Sequence, residues 1–292
     1  MIGKRKEEHI RIAENEDVSS FHNFWDDISL MHEADPEVNY DEIDTSVNFA
    51  GKNLKFPMII SSMTGGAEIA KNINRNLAIA AERFGIGMGV GSMRAAIVDR
   101  SIEDTYSVIN ESRVPLKIAN IGAPQLVRQD KDAVSTRDIA YIYDLIKADF
   151  LAVHFNFLQE MVQPEGDRNS KGVIDRIREL SGSFNIIAKE TGSGFSRKTA
   201  ERLVDAGVKA IEVSGMSGTT FAAVEYYRAK KENNLEKMRV GETFWNWGIP
   251  SPASVHYCSD LVPVIGSGGL RNGLDLAKAI VMGATVGGFA RT

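Results

Sequence analysis

Short apolar segments, each ending at Gly or a polar residue, recur along the chain. Amphipathic stretches with helical spacing follow most of them, for example 136–148 (TRDIAYIYDLIKA) and 272–284 (NGLDLAKAIVMGA). The apolar segments are 56–66, 86–94, 115–123, 149–156, 185–194, 210–218, 262–269 and 285–291. This alternation predicts an α/β fold with parallel strands and helical crossovers. Eight such strands predict a (β/α)8 (TIM) barrel, and a doubly wound open sheet is the alternative.

Two regions fall outside the repeat, and one expected element is missing. Residues 1–55 are predicted to form an N-terminal extension, ending in a hairpin that turns at Gly51 and covers the barrel floor, before the barrel at 56–292. The connection 219–261 carries Trp245 and Trp247, which would cover a site or pack at an interface. No helix-length segment follows the eighth strand, so we expect the last barrel helix to be missing from this sequence or replaced by a partner.

Composition narrows the class of protein. The net charge is −5 and the basic residues are dispersed, which argues against a nucleic-acid partner. The single cysteine, Cys258, excludes an intrachain disulfide and suits a reducing compartment. No apolar run reaches the roughly 18 residues that a membrane span needs. We therefore expect a cytoplasmic protein without a membrane segment.

Polar residues cluster where the predicted strands end. These residues are Thr64, Arg94, Asn120, Asn156, Lys189, Ser214, Gly268 and Gly269. Barrel enzymes build their active sites at this face, although Gly and Asn also end strands in ordinary turns. Turn chemistry does not require a buried Lys or Arg, so the pattern favours a site. Glycine pairs at the seventh and eighth strands further predict a phosphate-binding backbone.

Several motifs together resemble one family over nearly the whole chain. They are SSMTGG (61–66), GSMR (91–94), IANIGA (118–123), HFNFLQE (154–160), QPEGD (163–167), AKETGSGFS (188–196), VSGMSGTT (213–220), GETFWNWGIP (241–250) and GSGGLRNGLDLAKAI (266–280). The chain resembles the type 2, FMN-dependent isopentenyl-diphosphate delta-isomerases. The resemblance implies conversion of isopentenyl diphosphate to dimethylallyl diphosphate in isoprenoid biosynthesis, with reduced FMN, Mg²⁺ and NAD(P)H as reductant. It also implies a homo-oligomer, a tetramer or an octamer.

The resemblance assigns roles residue by residue. FMN contacts fall on Ser62, Met63, Thr64, Ser92, Asn120, Lys189, Thr219, Gly268, Gly269, Arg271, Ala290 and Arg291. Substrate contacts fall on Arg5, Lys6, Ser92, Met93, Arg94 and Gln159. The Mg²⁺ ligand is Glu160, and one carboxylate suffices because Mg²⁺ also binds substrate phosphates and water. The residues expected to act in catalysis are Lys189, Gln159, Thr64, His154 and Asn156.

Two positions depart from the family pattern, and some residues have other interpretations. Met93 stands where the family usually has Gln, and Ser217 replaces the first glycine of a Gly-Gly-Thr turn. Lys189 could instead pair with Glu190 or Glu212. Likewise, Arg5 and Lys6 could belong to a solvated terminus, His154 could satisfy a core hydrogen bond, and Gln163 could belong to the loop.

Two other functions compete with this assignment. An FMN-dependent 2-hydroxy-acid oxidase would share the glycine-rich end of the barrel, but it needs a His base after the sixth strand. The chain reads GMSGTT (215–220) there, with neither His nor Arg. A non-catalytic phosphate-binding barrel is the second competitor, and it predicts that changing Glu160 or Lys189 has no effect.

Overall fold

The computed structural model describes residues 2–163 and 165–290, and their side chains from residue 6 onward. Eight parallel strands form a closed barrel in the order β10-β3-β4-β5-β6-β7-β8-β9. The strands are β1 (Val47–Phe49), β2 (Lys52–Leu54), β3 (Met58–Ile60), β4 (Gly87–Gly89), β5 (Lys117–Gly122), β6 (Phe150–Phe155), β7 (Ile186–Glu190), β8 (Ala210–Glu212), β9 (Val264–Ser267) and β10 (Val286–Phe289). Pairing of β10 with β3, with Gly288 opposite Ile59, closes the barrel.

The predicted barrel is confirmed, and the open-sheet alternative is excluded by the closure. The helices are α1 (Ile2–Asn15), α2 (Glu68–Phe84), α3 (Arg94–Val98), α4 (Asp104–Ser107), α5 (Thr136–Leu145), α6 (Phe157–Val162), α7 (Val173–Ser181), α8 (Arg197–Asp205), α9 (Phe221–Lys231), α10 (Leu235–Thr243), α11 (Ser251–Cys258) and α12 (Gly273–Val281). Within the described ranges, none of these helices combines the length and apolar character that crossing a bilayer demands.

The hairpin of β1 and β2 closes the barrel at the N-terminal ends of its strands, as predicted. Its two-residue turn, Ala50–Gly51, has positive φ at both positions, the geometry that suits the twist of a tight hairpin. Phe49 and Leu54 are buried in one cluster with residues of the barrel strands, among them Phe150. The βα loops therefore form the other end of the barrel, at the C-terminal ends of the strands.

The N-terminal extension also reaches that opposite end. Its first part forms α1, which the sequence pattern did not predict. The chain then runs beside the loop after β8, where Ser20 donates to the carbonyl of Gly218 at 2.7 Å. Trp245 donates its indole N–H to the carbonyl of Ser19 at 2.8 Å, so it packs the extension against the α10–α11 connection. Trp247 is mostly exposed.

Candidate active site

A buried ion pair lies at the ends of β7 and β8. Lys189 Nζ is 2.7 Å from Glu212 Oε1, and both side chains are almost completely buried. Ser61, just past β3, donates its hydroxyl to the same carboxylate oxygen at 2.6 Å. Of the two ion pairs considered for Lys189, the structure contains the one with Glu212. The pair fixes the ammonium at the rim of the barrel, which is also where the predicted flavin contact requires it.

Two neighbouring strands place His154 against Asn120. His154 Nδ1 lies 2.7 Å from Asn120 Oδ1, and Asn120 Nδ2 donates to the carbonyl of Val90 at 3.1 Å. The amide nitrogen of Asn120 therefore faces Val90, and the amide oxygen faces the ring. An amide oxygen can only accept, so His154 carries its proton on Nδ1 and donates it to this oxygen. Burial lowers the pKa of His154 to about 3, with repulsion from Lys189 and Lys6 adding to the effect. The ring is therefore neutral near pH 7, and Nε2 is its acceptor.

Glu160 is held by nitrogen donors around its carboxylate. Asn156 Nδ2 donates to Oε1 at 2.9 Å, the backbone N–H of Asp167 donates to Oε2 at 2.7 Å, and Gln163 donates to Oε2 as well. A carboxylate offers about four lone-pair sites, so it can also bind a hard cation. Gln163 lies in the loop after α6, and its buried side chain also donates to Glu160.

Asp167 joins the predicted metal ligand to a predicted substrate residue. Its carboxylate accepts from Arg94 Nη1 at 2.8 Å and from Gln125 Nε2 at 3.1 Å, while its backbone bonds to Glu160. Arg94 and Glu160 come from loops after different strands, and this aspartate holds them together. The sequence motif contained Asp167, but nothing in its spacing indicated this role.

Gln159 faces a buried charge cluster that the sequence analysis missed. Its amide donates to Glu225 Oε1 at 3.0 Å, and Arg228 Nη1 donates to Glu225 Oε2 at 2.7 Å. His9 Nε2 lies 3.3 Å from Glu225 Oε1. Burial acts to raise the pKa of Glu225, but the nearby His9 and Arg228 outweigh it and lower this pKa overall. An acid three residues before a basic residue on a predicted helix was the only available signal.

The loop after β3 carries the residues predicted to lie along the flavin. Ser62 Oγ is buried and has no hydrogen-bond partner among the described residues. A side chain at Gly89 would place its Cβ 2.0 Å from that hydroxyl, so the glycine keeps the space open. Met63 is partly exposed, and Thr64 Oγ1 donates to Asn74 Oδ1 at 2.5 Å. Buried hydroxyl groups normally have a hydrogen-bond partner, so we expect a polar ligand to bind next to Ser62.

The loop after β9 forms a tight turn at Gly268 and Gly269, with φ of 90° and 85°. A Cβ at Gly269 would lie 2.5 Å from the carbonyl oxygen of Ser217, so only glycine fits the approach to the β8 loop. The extension holds this turn from outside: Trp25 Nε1 donates to the carbonyl of Gly268 and Asn23 Nδ2 to that of Gly269, both at 2.8 Å. Such a glycine turn can bring backbone N–H groups close to a phosphate.

Some predicted contacts lie elsewhere or are already engaged. Met93 is fully buried in the main hydrophobic cluster, and its assignment as a substrate contact stays a prediction. The backbone N–H of Arg271 donates to Asp275 at 3.0 Å, and its assignment as a phosphate contact stays a prediction. Thr219 lies half-buried beside the glycine turn, bridged to Ser19 of the extension.

Three of the predicted site residues lie at or beyond the limits of the residues that the structure describes. The side chain of Arg5 and the whole of Arg291 fall outside the described residues, and Ala290 is the last described residue. Lys6 is described, and its ammonium contacts the rim: Nζ lies 2.7 Å from the carbonyl oxygens of Gly65 and Ser92. The side chain of Lys6 therefore does not behave as part of a solvated terminus.

These features define a (β/α)8-barrel enzyme whose polar groups converge on one rim. No family model matches the chain. It is 94% identical over 292 residues to an isopentenyl-diphosphate delta-isomerase of Thermoplasma acidophilum, covering all of this chain and 84% of that protein. It is 81% identical over its full length to the enzyme of the same name from Thermoplasma volcanium and 68% identical to that from Picrophilus torridus, covering 84% and 83% of those proteins.

The chain therefore belongs to the isopentenyl-diphosphate delta-isomerase family. The predicted resemblance to its type 2 members is confirmed, as is the predicted enzyme class, an isomerase. These three relatives share the isomerase name, and this favours the isomerase over the 2-hydroxy-acid oxidase and the non-catalytic barrel.

Proposed function

We propose that this chain converts isopentenyl diphosphate to dimethylallyl diphosphate, using reduced FMN and Mg²⁺ at the rim of the barrel. The observation that carries the proposal is the convergence of Lys189, Glu160 and Gln159 on one rim in a chain so similar to isomerases of that name. The reaction moves a double bond through a net proton shift. It therefore needs a site that anchors the diphosphate and keeps water from the hydrocarbon end.

The rim has the features that FMN requires. The buried Ser62 hydroxyl without a partner is a group that the flavin ring would satisfy, and the glycine turn at Gly268–Gly269 suits the ribityl phosphate. Thr64, Asn120 and Lys189 would contact the ring system. When bound and reduced, FMN supplies electron density that stabilises positive charge developing on the substrate.

Lys189 contributes positive charge beside the place assigned to the flavin. Its ammonium is buried, so its field is screened less than that of a surface lysine. Glu212 keeps the ammonium in position through the 2.7 Å ion pair. We infer that Lys189 stabilises negative charge on the bound cofactor and thereby favours the reduced, anionic state.

Glu160 and Arg94 would bind the diphosphate from two sides. Glu160 supplies the one carboxylate that Mg²⁺ needs in addition to phosphate oxygens and water. Arg94 supplies a planar guanidinium, which suits bidentate phosphate contacts. Arg94 also pairs with Asp167, so a diphosphate bound by Arg94 would compete with or join that carboxylate.

Three of the residues expected to act in catalysis are neutral. Asn156 and Gln159 are buried amides, and His154 carries no charge near pH 7 because burial lowers its pKa to about 3. Asn156 Oδ1 has no hydrogen-bond partner among the described residues and could accept one from a ligand. We infer that these residues orient substrate and protect the developing cation from water.

The visible spectrum and the cofactor requirements of the purified full-length chain test the proposal. We expect a yellow protein whose turnover of isopentenyl diphosphate requires Mg²⁺ and a reductant such as NAD(P)H, without consuming the reductant stoichiometrically. Lys189→Ala should weaken FMN retention. A colourless protein that isomerises the substrate without flavin, or unchanged FMN affinity in Lys189→Ala, would contradict the flavin assignment.

Several further predictions belong to the same proposal. They are the homo-oligomer, tetrameric or octameric, the cytoplasmic location, and the division of the chain into an extension at 1–55 and a barrel at 56–292. Analytical ultracentrifugation of the purified protein tests the first. The extension supplies Trp25 and Lys6 to the rim, which supports treating it as part of the functional unit.

A further inference from the structure

Tyr106 lies beneath the loop predicted to carry the flavin. It comes from α4 and is fully buried. A Cβ at Gly65 would lie 2.1 Å from its ring, and one at Gly66 would lie 2.6 Å from its hydroxyl. Its neighbour Thr105 accepts a hydrogen bond from the backbone N–H of Gly66 at 2.9 Å. The tyrosine thus packs directly on the two glycines that shape this loop.

The direction of the hydrogen bonds around the Tyr106 hydroxyl is fixed by chemistry. Lys6 Nζ lies 2.8 Å from this oxygen, and the oxygen lies 2.8 Å from the carbonyl of Ser92. An ammonium can only donate and a carbonyl can only accept, so the hydroxyl accepts from Lys6 and donates to Ser92. Burial raises the pKa of Tyr106 far above its ordinary value, which keeps this donor protonated.

The same ammonium connects two loops of the rim. Besides the tyrosine, Lys6 donates to the carbonyl of Gly65 after β3 and to that of Ser92 after β4. Lys6 belongs to α1, which lies outside the barrel repeat. Through these bonds the described part of α1 places the Lys6 ammonium near Ser92 and Arg94.

We propose that Tyr106 is a positioning residue for the diphosphate site, because its hydroxyl fixes the Lys6 ammonium against the Gly65 and Ser92 carbonyls. This inference rests on the proposed role of Lys6 in binding substrate. In this role Tyr106 acts through Lys6 rather than by touching substrate or flavin itself. Because the three N–H groups of Lys6 are donated to Tyr106, Gly65 and Ser92, the ammonium would attract the diphosphate by its charge from a fixed position, with little further loss of conformational freedom.

The test compares steady-state kinetics of Tyr106→Phe, Lys6→Met and the double variant, each saturated with FMN, Mg²⁺ and reductant. Phenylalanine keeps the ring that packs on Gly65, so the fold is retained and only the hydroxyl is lost. We expect Tyr106→Phe to raise KM for isopentenyl diphosphate by about tenfold or more with little change in kcat, the loss expected for one hydrogen bond to a charged group. In the Lys6→Met background the same change should have no further effect on KM.

A matched control removes a tyrosine hydroxyl elsewhere. Tyr143 donates to the carbonyl of Asp149 at 2.6 Å, before β6 and away from the rim, so Tyr143→Phe should leave KM unchanged. Additive effects of Tyr106→Phe and Lys6→Met, or a loss of FMN affinity in Tyr106→Phe without a change in KM, would overturn this inference alone. An unchanged KM in Lys6→Met would overturn the substrate role of Lys6 together with it.

Discussion

Glu212 accepts a hydrogen bond from Lys189 at 2.7 Å in a site where both side chains are almost fully buried. A buried charge is tolerated only when it is paired, because desolvation costs several kcal/mol for each ion. The ion pair and the predicted flavin contact are therefore complementary roles of one lysine. The carboxylate of Glu212 holds the ammonium of Lys189 at the end of its strand.

Glu212→Gln should destabilise the protein strongly. The substitution leaves the Lys189 ammonium buried without its counter-ion, which costs about 3–5 kcal/mol of unfolding free energy in comparable sites. Chemical denaturation of the two proteins measures the difference. Glu201→Gln is the control, because Glu201 pairs with Arg197 at the surface and such pairs contribute about 0–1 kcal/mol. Equal losses in the two variants would contradict the importance of the buried pair.

Glu160→Gln should impair Mg²⁺-dependent substrate binding. Glutamine keeps the size of the side chain but removes the negative charge that binds a hard cation. We expect the Mg²⁺ concentration for half-maximal activity to rise about tenfold or more, with the FMN spectrum unchanged. Glu179→Gln on α7, where the glutamate is exposed and pairs with Arg176, is the control. A wild-type Mg²⁺ titration in Glu160→Gln would remove this residue from the metal site.

His154 should make stability depend on pH in the acid range. Its folded pKa of about 3 lies below its ordinary 6.5, so its contribution is complete above pH 6.5. Between pH 6.5 and 3 the unfolded chain binds a proton that the folded chain does not, so the unfolding free energy falls as pH falls. His154→Gln should flatten this slope, and the exposed His256→Gln should not. NMR of the imidazole showing a midpoint near 6.5 would refute the prediction.

Gly269→Ala should weaken FMN binding and stability together. The backbone has φ of 85° there, and a Cβ would lie 2.5 Å from the carbonyl oxygen of Ser217, so the turn must move. A strained residue of this kind costs about 1–3 kcal/mol. Gly273→Ala is the control, because nothing lies within 4 Å of a Cβ there and the residue begins α12. FMN titration and thermal denaturation compare the variants, and equal behaviour would contradict the assigned role of the turn.

The positions of the barrel strands could be read from the chain because their signals are local. The barrel strands are largely buried and read as short apolar runs with polar residues near their ends, as at Ile186–Glu190. Among the helices that were not predicted, α1 and α10 lack a strong amphipathic pattern next to a strand. The prediction of the hairpin is confirmed, because a tight turn at Ala50–Gly51 between two short strands is also a local signal in the sequence.

The candidate site was predictable as a set of residues and not as a set of contacts. Gln159 and Glu225 are 66 positions apart, and their hydrogen bond depends on how α6 and α9 meet above the barrel. Met93 stands in a recognisable motif, yet its side chain points into the core because α3 begins at the next residue. Sequence spacing carries no information on such rotations of a loop.

The sequence alone determined the alternation of strands and helices, the rim on which strand-end polar residues gather, and the family whose motifs the chain carries. Only the tertiary structure decided the partners: Glu212 for Lys189, Asp167 between Arg94 and Glu160, and Tyr106 for Lys6. The reason is physical. Periodicity is fixed by neighbours a few positions away, whereas a buried charge finds its partner only when closure of the barrel brings distant loops together.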